Sequence, residues 1–460
     1  MGETDTDAAD QFDAGVSEGR LDESTPGLWG RVWGLPRNVV IISLVSLLND
    51  ASSEIIYPML PAFLALSLGA SRTAIGVIEG LAESVSSLLK LLSGYLSDRT
   101  GRRKGLVVFG YGLASVMRPL LALTTSWLQV LVVRFADRVG KGLRSAPRDA
   151  MIADAAPPAE RGLAFGFHRA MDHGGAVLGP LIGLALLWLF AANPQSPTAA
   201  DYKTIFLFAS VPALLAMLVL VFGVKETRRP GAAPAGPAGG RAGGGPAAGA
   251  RDAARGAGAR GARLTLRGFD ANFKWFLVLV ALFTLSNSTD AFLIRRAQMA
   301  GVSTGQGTLL LWAALHLSKV VSSVIGGDLS DRLGRKTVIV AGWLLYAAVY
   351  LGFARVSTEG EAWALFLVYG VYFGLAEGAE KALVADLVRP EQRGTAYGLY
   401  NLAFGVTVLP ASLLMGALWD WSGPATAFVV SSAIGASAAL LLAFAVRPGP
   451  LGRRGAAGEI

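Results

Sequence analysis

The chain has 460 residues, 53% hydrophobic and 16% charged, with mean hydropathy +0.48 and a net charge of +8. Soluble domains carry about a quarter charged residues, so this composition excludes a soluble enzyme or binding module and indicates an all-α polytopic membrane protein. There is no cysteine, which excludes disulfides and thiolate metal sites, and no strand-length alternation to support a β-barrel.

Residues 1–36 open with the acidic string "MGETDTDAADQFDAG", which lacks a basic stretch followed by an apolar one. A cleaved signal peptide is therefore not expected, and 1–36 reads as a cytoplasmic tail. Apolar runs of spanning length start near Asn38, Ser71, Gly105, Trp127, Gly162 and Thr204, the first continuing to Leu68. An interruption at 225–270, rich in Gly, Ala, Pro and Arg, cannot bury a core and reads as a flexible basic cytoplasmic linker. Runs resume near Asn272, Gly307, Thr337, Glu361, Thr395 and Gly423, and 448–460 is a tail. The expectation is about twelve transmembrane helices as two six-helix bundles, 37–224 and 271–447.

Lys and Arg concentrate in alternate short loops, at Arg31, Arg37, Arg99, Arg102, Arg103, Lys104, Arg332, Arg335, Lys336, Arg389, Arg393, Arg453 and Arg454. From that bias both termini are expected inside, and the expected location is the inner membrane of a prokaryote. The bias also reads the net charge as orientation in a lipid bilayer rather than as a nucleic-acid surface.

"SGYLSDRTGRRKG" from Ser93 returns as "GGDLSDRLGRKTV", with Asp331 repeating Asp98 at an offset of 233 (331 minus 98). "ERGLAFGFH" from Glu160 likewise returns as "QRGTAYGLY" from Gln392, and Asp154 as Asp386. The chain is an internal duplication, a plan in which two parallel repeats hold a substrate between them.

An ionisable side chain at mid-bilayer costs at least about 2.5–3.5 kcal/mol and needs a partner, a wet cavity or a role. The first span carries Asn49, Asp50 and Glu54, with Ser46, Asp50, Ser53, Glu54 and Tyr57 on one face. The second carries Glu79, Glu83 and Lys90 along one stripe, read as a structural charge network. In the fourth, Arg134, Arg138, Lys141 and Arg148 recur every few residues beside Asp137 and Asp149. Arg148-Asp149 aligns with Glu380-Lys381 of the tenth span, which also carries Glu377, with the signs exchanged. Charge pairing across the halves is one reading; a solvated inner end of the fourth helix is the other. Asn287 and Asp290 of "LSNSTDAFLIRR" are the seventh-span counterparts of Asn49 and Asp50.

His168 and Asp172 stand one turn apart with His173 beside them; interhelical packing is the reading, with metal ligation and proton relay as alternatives. Gly174, Gly175, Gly179 and Gly183 allow close helix approach, and Pro180 removes a helix hydrogen bond. Trp188, Trp343, Trp363 and Trp419 read as interfacial anchors.

These motifs resemble those of the major facilitator superfamily, over roughly Arg37 to Arg447. Its loop signature is matched by Gly94, Leu96, Asp98, Arg99, Gly101, Arg102 and Arg103, and again by Gly327, Leu329, Asp331, Arg332, Gly334, Arg335 and Lys336. The resemblance implies that these loops latch the two halves on the cytoplasmic side. It implies that the first helix of each triplet lines the cavity, which makes Asn49, Asp50, Glu54 and Asp290, with Arg134 and Glu377, candidate proton-coupling or substrate groups, a fixed buried ion pair being the alternative for the first span. Gly175, Gly179, Pro180 and Gly183 match a fifth-helix signature associated with drug/proton antiporters, and Pro58 and Pro61 resemble the end of their first helix. Arg134 matches a fourth-helix signature whose Gln and Gly are replaced here by Asp137 and Arg138.

The implied function is secondary active transport by alternating access, expected as export of a small organic solute in exchange for protons by a monomer. Proton-coupled uptake, metal or metal-complex export and a non-transporting sensor are the alternatives. No nucleophile elbow, phosphate-binding loop or zinc motif supports an enzyme, and no cofactor is implied.

Overall fold

The computed structural model describes residues 26–70, 72–194, 197–226, 266–303 and 306–447. The start of the expected N-terminal tail, most of the expected linker and the C-terminal tail lie outside them. The chain divides into two units, 1–34 and 35–460. The first holds a short helix, α1 (Leu28–Trp33), on which Trp29 and Trp33 are exposed.

In the second unit the first repeat supplies α2 (Arg37–Ile56), α3 (Arg72–Thr100), α4 (Lys104–Leu121), α5 (Trp127–Ala155), α6 (Arg161–Phe190) and α7 (Ala199–Gly223). The second repeat supplies α8 (Ala271–Ser286), α9 (Ala291–Met299), α10 (Gln306–Leu333), α11 (Arg335–Arg355), α12 (Glu359–Leu387) and α13 (Arg393–Ala445). Gly423, at φ +83°, divides α13 into two helices where the twelfth span was expected. The fold is an all-α polytopic bundle. Among the described residues eight helical stretches are long and apolar enough to cross a membrane, and leucines and phenylalanines such as Leu184, Leu189, Phe222 and Phe444 are exposed on the outside.

α5 is not among the eight. Its residues 144–153 are nevertheless buried without a break, so Arg144, Arg148 and Asp149 at its inner end face protein rather than lipid or water. The solvated reading of this helix is thereby corrected.

Two spans expected to be continuous are broken. The first stops at Ile56, turns through residues 57–59 and resumes as a short helix (Leu60–Ala62) and a wide π turn (Phe63–Ser67). Pro58 in that turn has no N–H to donate. The seventh stops at Ser286, where Asn287 adopts φ −96°, ψ 88°, and restarts as α9. Asn, Ser, Thr and Asp side chains at 287–290 compete for backbone hydrogen bonds and favour such a break. Trp343 is a further correction: it is fully buried, stacked on Phe283 with centroids 4.3 Å apart, and is no interfacial anchor.

Within the first repeat α2 packs on α6 and α7, and α5 on α3 and α4; within the second, α12 packs on α10 and α11, and α13 on α8 and α11. The repeats meet through α6 against α10 and α3 against α13. Both seams are glycine-lined at the end bearing the repeated charged loops. A Cβ on Gly394 would lie 2.5 Å from the Gly94 carbonyl oxygen, and one on Gly162 would lie 2.5 Å from the Gly327 carbonyl oxygen. Only glycine permits backbones to touch in this way.

The cysteine-free chain makes this seam measurable. With Ser97→Cys as reporter, buried on the α3–α13 seam, Gly327→Val on the other seam is expected to raise the thiol-labelling rate about tenfold, equivalent to about 1.4 kcal/mol of lost closure. An unchanged rate would deny that the two seams close together.

Candidate functional site

The two loop aspartates cap helices of the opposite repeat. Asp98, near the end of α3, accepts the backbone N–H of Gly394 at 3.0 Å and of Thr395 at 2.6 Å, and the Thr395 hydroxyl at 2.8 Å. Asp331, near the end of α10, accepts the N–H of Gly162 at 2.9 Å and of Leu163 at 2.7 Å. These are the first turns of α13 and α6, where N–H groups have no intrahelical partner and the helix dipole favours a negative charge.

Arginines tie each cap to its surroundings. Arg103 bridges Asp98, at 3.3 Å, and Asp154, which also takes Arg393 of the other repeat at 2.6 Å. Arg335 bridges Asp331 and Asp386, the latter at 3.4 Å, and Asp386 takes Arg161 at 2.6 Å. Gly101 and Gly334 turn the loops at φ +67° and +91°. Of the other expected loop cations, Arg99 and Arg102 are exposed, and Arg332 pairs with Asp328 of its own helix at 2.8 Å.

Further along the seam, buried charges cross between repeats. Asp149 of α5 pairs with Lys381 of α12 and also faces Arg148 at 3.3 Å. Arg148 donates to Ser46 on α2 at 2.8 Å and lies 4.0 Å from Asp172 on α6. Arg169 of α6 binds Asp172 at 2.9 Å and Glu377 of α12 at 3.2 Å. His173 stands 3.5 Å from Glu377, and its ring is 5.4 Å from that of His316 on α10. Only one of the two aligned charge pairs forms between the repeats. Glu380 instead accepts Trp343 at 2.7 Å and Tyr400 at 2.5 Å, both from its own repeat.

The first-span groups lie beside this network. Asn49 is buried; it donates to Asp50 at 2.9 Å and accepts from Arg118 of α4 at 2.9 Å. Asp137 lies 3.9 Å from both Arg118 and Arg134. Arg134, Arg138 and Lys141 act electrostatically on half-buried Glu54, and Arg144, whose guanidinium stacks 4.3 Å over the Tyr111 ring, acts on Asp50. A small cavity opens between α2, α4 and α5, with Ser53, Arg118, Arg134 and Asp137 in its wall. The glycine motif seats α6 against this stretch of α2. A Cβ on Gly175 would lie 3.0 Å from the Asp50 Cβ, one on Gly179 2.5 Å from the Glu54 Cβ, and one on Gly183 3.1 Å from Met59. Pro180 sits inside α6 between the last two contacts.

In the second repeat Asn287 and Asp290 occupy the break before α9 rather than a helix face. The Tyr369 hydroxyl donates to Asn287 at 3.3 Å and to Asp290 at 3.1 Å. The side chains of Glu79 and Glu83 lie outside the described residues, and Lys90 is half-buried on α3. His168 meets Ser43 at 3.3 Å and Asp172 at 3.7 Å, an interhelical role. Among the described residues no group of three His, Asp or Glu is placed to hold a metal ion.

Sequence reading passed over Arg118, Arg144, Arg169 and Lys319, the last buried 3.7 Å under the Phe373 ring. Arg169 lies between the histidines of "HRAMDH", a string whose spacing points to His168, Asp172 and His173 rather than to the arginine. An arginine inside a predicted span is itself the signal that finds the first three.

A model of the Major Facilitator Superfamily matches residues 42–318 and again 300–459. An uncharacterised MFS-type transporter of Methanocaldococcus jannaschii is 35% identical over 415 residues, covering 89% of this chain and 95% of that protein. The multidrug resistance protein MdtH of Aeromonas hydrophila subsp. hydrophila is 25% identical over 412 residues, 87% of this chain and 93% of its own. Among solved structures the proton:xylose symporter XylE has a likeness of fold, with a TM-score of 0.69 over 90% of this chain and 96% of that one at 18% identity.

Asp149→Asn leaves the Lys381 ammonium buried without its counter-charge, a loss of about 3–5 kcal/mol. The melting temperature in detergent is expected to fall accordingly, and Asp149→Asn with Lys381→Met to recover most of the loss. A single variant as stable as the parent would show that this pair holds nothing together.

Proposed function

This chain belongs to the major facilitator superfamily, and from that premise we propose that it moves a small organic solute by alternating access, coupled to protons taken up by Asp50 and Glu54. It is a multi-pass membrane transporter and not an enzyme. The observation that carries the coupling is the continuous contact from Asp50 through Asn49 to Arg118 and on to Asp137 and Arg134. A proton arriving on Asp50 changes the charge that Asn49 and Arg118 respond to, so the acids and the cavity wall act as one unit. The loop signature and the arginine bias support a cytoplasmic position for the aspartate caps and both termini, which makes this conformation the one closed toward the cytoplasm. The six-helix units 37–224 and 271–447 then rock about the central pocket, joined by the cytoplasmic linker 225–270, within one monomer.

Export in exchange for protons is supported by the glycine-proline signature beside Asp50 and Glu54 and by the multidrug resistance relatives. Uptake together with protons is the second reading, favoured by the excess of cations around these acids. Arg118, Arg134, Arg138, Lys141 and Arg144 face Asp50, Glu54 and Asp137. Exchange requires proton loading to weaken substrate binding; co-transport requires it to strengthen binding.

In liposomes under an imposed pH gradient, solute addition is expected to move protons with the wild-type chain. Asp50→Asn with Glu54→Gln is expected to reduce that movement to the level of empty vesicles. Proton flux surviving in the double variant would remove both acids from the coupling role, and its direction in the wild type separates exchange from co-transport.

A further inference from the structure

We propose that Lys319 and Asp290 are the two poles of a binding site between the repeats, and that the transported solute is a small zwitterion with an aromatic body, of the kind an aromatic amino acid presents. The inference rests on reading the chain as a transporter of a small organic solute, and it names the class of that solute. Lys319 is 4% exposed, and its ammonium lies 3.7 Å from the centre of the Phe373 ring and 5.9 Å from that of Trp312. Among the described residues no carboxylate pairs with it and no acceptor takes its N–H groups, although Asp290 and Glu377 act on it electrostatically. An aromatic face offsets part of the cost of burying a cation, and an arriving carboxylate supplies the counter-charge that is missing.

The opposite pole is half-buried Asp290. Among the described residues its carboxylate accepts the Tyr369 hydroxyl at 3.1 Å, and no cation pairs with it. The ion-paired network along the seam has no charge to spare, because Arg148, Arg169 and Lys381 are matched by Asp149, Asp172 and Glu377. A ligand carboxylate alone would leave Asp290 unmatched, and a ligand ammonium alone would leave Lys319 unmatched. A ligand that carries both answers each pole without adding net charge to a buried site.

Tyr369 and Phe373 stand one turn apart on α12 with ring centroids 5.1 Å apart, so neighbouring rings hold the two poles. Glu377, a further turn along, reaches Arg169 and His173 of α6, and its side chain is 27% exposed, so the space beside it opens between the repeats. His316 stands one turn before Lys319 on α10, with its ring 5.4 Å from that of His173 and its Nδ1 unmatched. The site is therefore bounded by α6 of the first repeat and by α10, α12 and the α8–α9 break of the second, where alternating access has to hold a solute. Half-buried Trp312 and Phe373 offer ring faces to an aromatic body.

The test uses full-length protein in detergent and four probes that share a phenyl group: phenylalanine with both charges, 3-phenylpropionate with the carboxylate alone, 2-phenylethylamine with the ammonium alone, and 3-phenylpropanamide with neither. Calorimetric binding is expected for phenylalanine and at least about tenfold weaker for each of the other three. Lys319→Met and Asp290→Asn are each expected to weaken phenylalanine about tenfold, but in different ways. Without the lysine, phenylalanine is expected to bind no tighter than 2-phenylethylamine; without the aspartate, no tighter than 3-phenylpropionate. A merely structural role for either residue does not produce that change of preference. Asp290→Asn preserves the shape of a half-buried side chain and keeps the test readable if Lys319→Met fails to fold. Phenylalanine binding no tighter than the one-charge probes, or a preference among the probes that neither substitution alters, overturns the site. Phenylalanine binding without linked proton movement in liposomes would sink the coupling and leave the site standing. Proton-linked flux of 3-phenylpropionate or 2-phenylethylamine with no binding of phenylalanine would sink the site and leave the transporter standing.

Discussion

A carboxylate set on the first turn of a helix from the other repeat is the interaction on which this architecture depends. Asp98 on Gly394 and Thr395, and Asp331 on Gly162 and Leu163, satisfy N–H groups that α13 and α6 have no means of satisfying internally. Each bond to a charged acceptor contributes about 1.5–3 kcal/mol, enough for two caps to hold a seam and little enough for a cycle to release. The glycines beneath are a precondition, because a single Cβ would hold the helix ends apart and pull the N–H groups out of reach.

The same helix that receives the Asp331 cap reaches the acids of the first span. α6 begins at the cap, carries Arg169 and Asp172 into the buried network, and then packs Gly175 and Gly179 against Asp50 and Glu54. A helix packed along its length moves as one piece, so opening at the loop end displaces the backbone beside the acids. Asp149–Lys381 and Arg169–Glu377 lie on this path between repeats. Their partners are fixed by ion pairing in this state, and any second state must supply others, because a buried charge left alone is strongly destabilising.

The two loops show how the duplication was legible and where it misled. Their strings align Arg102 with Arg335, yet the cation bridging the first cap is Arg103. Three residues separate Thr100 from Lys104 while one separates Leu333 from Arg335, so the first chain turns more slowly and brings the next arginine inward. Trp343 and the α5 arginines misled for a related reason. Hydropathy and residue type report average preferences, whereas a tryptophan stacked on Phe283 or a guanidinium facing Asp137 answers to one particular neighbour.

Sequence alone determined the membrane class, the twofold repeat, the position of the loops and glycine motif, and the presence of acids in the first span, since each is written in composition or in a repeated string. Tertiary structure decided that Asp149 rather than Arg148 pairs across the repeats, that Glu380 turns to Trp343 and Tyr400, and that Arg118 converges with Arg134 on Asp137. Those partnerships join helices far apart in the chain, and they depend on the rotation and register of one packed helix against another. No local periodicity encodes either, because both are set by how all the interfaces pack together.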